Sequence, residues 1–260
     1  MKFPKQVILY LLFLFGAFCP DRLIAGIVCE GEYDGHLQGI ARGENGSIFW
    51  SFTVSLVKTN SNGKFLSSVE VASHHGDLCY SEGVVYVAVN LGEFNELAGR
   101  ADSWIYAYDA NDLSLVWKRP IPEVVHGAGG VDVRNGHFFV VGGLPAGIEE
   151  NYVYEYDSEC RFVRRITVES GHTDMGIQTA FYSEGSWWFG CYGVPRVLLK
   201  ADDRFRFLGR RLFDASLGIV NSANGDFLIG RDLRKSNGQH QGSIVFARKS
   251  LEGFLEIETE

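Results

Sequence analysis

After residue 26 the chain carries no sustained helical period of apolar residues. Short runs rich in β-branched and aromatic residues recur instead, separated by Gly, Asn and Asp, which is the pattern of strands joined by tight turns. One turn signal returns five times: Glu44-Asn45-Gly46, Ser81-Glu82-Gly83, Arg134-Asn135-Gly136, Ser183-Glu184-Gly185 and Ala223-Asn224-Gly225. Gly supplies the left-handed conformation that such hairpins require. An apolar strand follows each turn, as in Val84 to Val89 or Ser186 to Phe189, and a short strand with a nearby Gly precedes it. Second hairpins complete each unit, for example Tyr106-Ala107-Tyr108-Asp109 leading to Ser114-Leu115-Val116-Trp117.

The turn glycines at 46, 83, 136, 185 and 225 are 37 to 53 residues apart, around the ~40–50 residues of a four-stranded propeller blade. The expectation is therefore an all-β, five-bladed β-propeller of four-stranded antiparallel blades, with blades near 36–71, 74–122, 126–169, 172–213 and 216–260. Residues 26–260 then form one propeller domain. Residues 1–25 read as a signal peptide: Lys2 and Lys5, an apolar run from Val7 to Phe18, then Ala25 and Gly26. That run is shorter than the ~20 apolar residues of a membrane span. The expectation is export to the periplasm or outside the cell, with no membrane span after signal cleavage.

The blade pattern over 36–260, and above all the Tyr-Asp turns at 108–109 and 156–157, resembles the propeller group of NHL, YVTN and SMP-30 (gluconolactonase-like) repeats. The resemblance implies the fold and specifies no activity. The acidic calcium constellation of gluconolactonases has no evident counterpart at matching positions.

Composition narrows the partners. The 260 residues carry 24 Lys and Arg against 32 Asp and Glu, a net charge of −8, with no basic run. That excludes nucleic acid as an expected partner. The cysteines after residue 26 (Cys29, Cys79, Cys160 and Cys191) show neither a CxxC nor a zinc-type spacing and are expected to be mostly free and buried.

Candidate chemistry lies where the chain leads into the inner strands. His36, His74, His75, His126 and His172, five of seven histidines, occupy that position in four of the five blades. Inner strands line the axis, so these imidazoles are expected at one channel mouth. Two roles fit: ligands to one divalent transition metal, for all five, or general base, with His75, His126 and His172 as the catalytic set. Asn90, Gln178, Tyr192, Arg196 and Arg231 fall on the same rim and are candidate ligand-binding residues. Long connections from Asn90 to Ser103, Gly142 to Asn151 and Arg231 to Gly242 would build that rim. Trp50, Trp187 and Trp188 read as interblade core, and Trp104 as the better stacking platform.

The functional expectation is a His-rich polar pocket at the axial mouth that binds and cleaves a small polar or carbohydrate-derived ligand, as a lyase or hydrolase. The alternative is a non-catalytic propeller that presents its loop rim to a glycan or protein. A Gly-His pair ahead of an inner strand, as at Gly35-His36 and Gly171-His172, also serves purely structural roles in propellers.

Overall fold

The computed structural model describes residues 26–258; the signal-peptide reading of 1–25 lies outside them. The protein is a five-bladed β-propeller. Blade 1 holds β1 (Leu37–Arg42), β2 (Ile48–Phe52), β3 (Ser55–Thr59) and β4 (Phe65–Glu70). Blade 2 holds β5 (His75–Ser81), β6 (Val84–Asn90), β7 (Ser103–Asp109) and β8 (Leu115–Pro120). Blade 3 holds β9 (Ala128–Arg134), β10 (His137–Gly142), β11 (Asn151–Tyr156) and β12 (Phe162–Val168). Blade 4 holds β13 (Ile177–Ser183), β14 (Ser186–Cys191), β15 (Val197–Asp202) and β16 (Phe207–Leu212). Blade 5 holds β17 (Ile219–Asn221), β18 (Phe227–Arg234), β19 (His240–Lys249) and β20 (Leu255–Ile257). Each blade is a four-stranded antiparallel meander in chain order. No helix among the described residues is long and apolar enough to cross a membrane.

Two repeated turns explain the repeated sequence. Gly46, Gly83, Gly136, Gly185 and Gly225 all have left-handed φ, and in blades 2, 3 and 4 the preceding Glu82, Asn135 and Glu184 share it. At the outer hairpins, Asn60, Asp109, Asp157 and Asp202 each accept a backbone N–H two residues on, at 2.7 to 2.9 Å. This is the Asx turn, so in blades 1 to 4 the acidic or amide residue at the end of the third strand closes its own hairpin.

Five apolar clusters fill the seams between consecutive blades. Phe49 and Leu56 of blade 1 meet Val85 and Val87 of blade 2, for example. Trp50, Trp187 and Trp188 are fully buried in three different seams. Burial at ~25 cal/mol per Å² of apolar surface makes these seams the main stabilising element. The inner strands β1, β5, β9, β13 and β17 ring the axis, with β1 in contact with β17. They approach so closely that a Cβ on Gly76 would fall 2.4 Å from the Gly129 carbonyl oxygen. Among the described residues all four cysteines are free, and Cys29, Cys79 and Cys191 are buried.

The outer edge of blade 5 is shared. β20 pairs with the far end of β19, while residues 27–33 pair with its near end through bridges Val28 to Ser243 and Tyr33 to His240. The Cys29 N–H donates to the Gly242 carbonyl at 2.9 Å and the Ile244 N–H to the Ile27 carbonyl at 2.7 Å. This cover corrects one expectation. The Arg231 to Gly242 segment is not a long loop; it is paired strand, from Arg231 with Ser243 to Arg234 with His240. The N-terminal segment supplies the ladder partner that keeps this stretch of β19 extended.

Candidate functional site

A cavity of about 190 Å³ opens at the axial mouth, on the side where the chain leads into the inner strands. Its polar lining is His36 and Gln38 from blade 1, His74 from blade 2, and Gln178 and Tyr192 from blade 4. Phe94 and Met175 add apolar side chains, while Gly76, Ala128 and Gly129 leave the space open.

Gln38 organises the polar group. Its amide nitrogen lies 2.8 Å from His36 Nε2 and 3.0 Å from His74 Nε2. One NH₂ group therefore donates to two imidazole lone pairs, and both rings carry their proton on Nδ1. The Tyr192 hydroxyl lies 3.3 Å from His36 Nε2. Burial pushes both imidazoles below the ordinary histidine range, at His36 against the opposing pull of Asp232. Burial also pushes the Tyr192 phenol up to about 12. At neutral pH the site is thus two neutral imidazoles, two carboxamides and a neutral phenol.

His240 joins from blade 5, its ring centroid 6.1 Å from that of His36. The Asp232 carboxylate accepts from His240 Nδ1 at 2.7 Å and from the Leu37 N–H at 2.9 Å. Beneath the cavity the buried Asp77 reaches across the axis to accept the Ala180 N–H at 3.2 Å. Its other oxygen has no partner, and burial raises its pKa well above the carboxylate range.

Of the histidines singled out by sequence, the structure brings His36 and His74 together and leaves three apart. His75 is fully buried within its blade; its Nδ1–H donates to the Ala72 carbonyl and its Nε2 accepts from the Tyr108 hydroxyl, each at 2.7 Å. His126 donates from Nδ1 to the Glu96 carbonyl at 2.8 Å. His172 does the same to the Ile148 carbonyl at 2.8 Å. These two fasten rim loops and do not join the lining. Among the described residues no three His, Cys, Asp or Glu side chains form a metal-holding group. Between His36 and His74 lies the Gln38 nitrogen, within hydrogen-bond distance of both rings. The five histidines therefore do not meet at one point, and of them His36 and His74 share the cavity.

The remaining candidates divide similarly. Gln178 and Tyr192 line the cavity. Asn90 is spent inside its own loop, donating to the Gly92 carbonyl and accepting from the Asp102 N–H, both at 3.0 Å. Arg196 pairs with Asp214 at 2.5 Å, and Arg231 donates to the Asp214 and Gly230 carbonyls at 3.0 and 2.8 Å. Trp104 donates to Asp102 and lies under Lys118, outside the lining. Sequence reasoning missed Gln38, Phe94, Met175 and His240. Gln38 lies two residues beyond His36, but the register slip of β1 between Leu37 and Gly39 removes the strand alternation that would have placed it.

The geometry defines a propeller with an axial cavity whose polar groups come from blades 1, 2 and 4. No family model and no curated protein matches the chain. Solved structures of the same fold do. The glutaminyl cyclase of Myxococcus xanthus aligns with a TM-score of 0.58 at 9% identity, over 91% of this chain and 99% of that one. An exo-1,5-alpha-L-arabinanase from a bovine ruminal metagenomic library aligns with a TM-score of 0.57 at 10% identity, over 88% and 99%. A bifunctional GH43-CE protein of Bacteroides eggerthii aligns with a TM-score of 0.61 at 13% identity, over 90% of this chain but 35% of that one. These likenesses establish the fold.

Proposed function

We propose that this protein is an exported propeller enzyme that binds a small polar, carbohydrate-derived ligand in the axial cavity and acts on it through a metal-free imidazole base. One observation carries the reading: His36, Gln38, His74, Gln178 and Tyr192 converge from three blade positions on one cavity. Propeller neighbours named as an arabinanase and a glutaminyl cyclase support an enzymatic reading of this fold.

His74 is the base. Its Nε2 has one donor, Gln38, at 3.0 Å, whereas His36 holds the shorter 2.8 Å bond to the same nitrogen. A ligand hydroxyl or water displaces Gln38 from His74, and Gln38 stays with His36. His74 Nε2 then accepts the proton, which a neutral imidazole does best near neutral pH. Tyr192 keeps its proton at that pH and stabilises developing negative charge by hydrogen bonding. A two-carboxylate glycosidase mechanism has no footing here, because no Asp or Glu lines the cavity.

A second reading is a non-catalytic propeller that holds a glycan or protein partner at its rim. It is favoured by the structural use of His126 and His172, which stiffens the rim without adding chemistry. The test is to purify the mature secreted form and assay 1,5-linked arabino-oligosaccharides, sugar lactones and a glutaminyl substrate across pH. Turnover abolished by His74→Ala, with metal content negligible by mass spectrometry, supports the enzyme. Binding without turnover supports the second reading. Stoichiometric transition metal restores a metal-assisted reaction, and an uncleaved N-terminus counts against export.

A further inference from the structure

The ligand's chemistry follows from what the cavity lacks. Its lining contains no charged side chain. The two rim guanidinium groups do not supply one, since Arg196 is held by Asp214 and Arg231 by backbone carbonyls. Burying an unpaired ionic group in such a site costs far more than any hydrogen bond returns. The polar groups present are carboxamides, imidazoles and a phenol, which both donate and accept. Hydroxyl groups do the same, so the two sets match without charge.

The second observation is Phe94. It reaches the cavity from the β6–β7 connection, and its loop is fastened to blade 3 at three points. The Asn95 N–H donates to the His126 carbonyl at 2.9 Å, the Leu144 N–H to Asn95 Oδ1 at 2.8 Å, and His126 Nδ1 to the Glu96 carbonyl at 2.8 Å. Gly127 lies directly against the ring; a Cβ there would sit 2.6 Å from Phe94 Cδ2. The phenyl ring is a preset apolar surface that, with Met175 and Ala128, lies beside the hydrogen-bonding groups of the lining. Aromatic faces carry negative quadrupole charge and attract the positive C–H hydrogens of a saturated ring. About 190 Å³ is room for one small ring, roughly six water volumes at ~30 Å³ each.

We propose that the axial cavity selects a single uncharged saccharide ring, its C–H face against Phe94 and its hydroxyls on Gln38, Gln178 and Tyr192. The proposal rests on the reading of this cavity as the ligand site and does not require turnover. It gives His126 a positioning role, through the loop that carries Phe94. Buried, neutral imidazoles at His36 and His74 keep the lining uncharged at neutral pH.

The test is saturation-transfer NMR with titration calorimetry on the mature protein. The probes are methyl arabinofuranoside, methyl xylopyranoside and methyl glucopyranoside, against methyl glucuronoside and methyl glucosaminide. At least one neutral glycoside is expected to bind, with transfer strongest at the hydrogens of one ring face. Phe94→Ala weakens that binding by roughly tenfold, the upper end of a single aromatic contact. His126→Ala weakens it less, Phe94→Tyr preserves it, and Trp104→Ala, on an aromatic outside the cavity, leaves it unchanged. A glucuronoside or glucosaminide bound as tightly as the glucoside overturns the proposal, and so does Phe94→Ala with unaltered affinity. Failure of every glycoside overturns it too, while turnover of a glutaminyl substrate lost in His74→Ala would still uphold the imidazole-base part of the enzyme reading. Neutral glycosides bound through Phe94 without any turnover uphold the proposal and remove the enzyme reading.

Discussion

His74 and His75 are consecutive in the chain and serve opposite sides of it. His74 Nε2 meets Gln38 in the axial cavity at 3.0 Å, while His75 Nε2 takes the Tyr108 hydroxyl at 2.7 Å inside blade 2. The two substitutions are therefore expected to separate. His75→Ala removes a fully buried ring and strands the Tyr108 hydroxyl, for a loss of ~2–4 kcal/mol. His74→Ala spares stability to within ~1 kcal/mol and abolishes turnover. Chemical denaturation and activity assays on both variants check the split.

The pH dependence of stability has two opposed parts. Burial holds His75 at about 4, below the ordinary ~6.5. The unfolded chain then takes up a proton first as pH falls, so this group costs stability between pH ~6.5 and about 4. Burial raises Asp132 to about 7, above the ordinary ~3.9. Here the native state keeps the proton longer, so stability is lost as pH rises from ~4 to about 7. Asp132→Asn is expected to remove that alkaline loss, on the order of 4 kcal/mol at most. Thermal melts of wild type and variant from acid to mildly alkaline pH read it directly; identical curves refute it.

Gln38 is expected to set the protonation of its two imidazole neighbours. Gln38→Glu places a carboxylate between them, which favours both imidazolium forms and raises both pKa values. Nitrogen-15 NMR of the ring nitrogens is expected to show the Nδ1–H tautomer in wild type and doubly protonated rings near neutral pH in the variant. Turnover at neutral pH falls with that change, since a protonated His74 accepts no proton.

Gly63 is a sensitive point of the ring closure. Its φ is +81°, and a Cβ there would fall 1.9 Å from the Val28 carbonyl oxygen. Its own carbonyl accepts the Glu30 N–H at 2.8 Å. Gly63→Ala therefore incurs both left-handed strain and a backbone clash, expected to cost at least ~1 kcal/mol. Hydrogen exchange is expected to quicken first at residues 27–33.

The propeller was legible because its signals are local. A Gly-centred hairpin and an acidic residue after the third strand each fix their own turn, as at Gly83 and Asp109. Two of the three long rim connections were legible as well, whereas the Arg231 to Gly242 stretch proved to be paired strand. The orientation of single histidines was not legible. β5 slips register between His75 and Leu78, and β1 between Leu37 and Gly39. A one-residue slip sends a side chain to the other face, so alternation cannot be counted through a bulge. Phe94 and His240 were missed for a different reason. Phe94 is placed by loop bonds to His126 and Leu144, distant in sequence, and His240 is brought beside His36 only when the last blade closes on the first.

That closure also sets an order of events. Residues 27–33 and 240–244 share one ladder across nearly the full length of the chain. Contacts so distant in sequence are slow to form, because closing a long loop must precede any gain from it. Blades 1 to 4 can assemble progressively from neighbouring hairpins, but the seam between blades 5 and 1 waits for both ends. Since His36 and His240 flank that seam, the axial cavity is among the last parts of the molecule to acquire its shape.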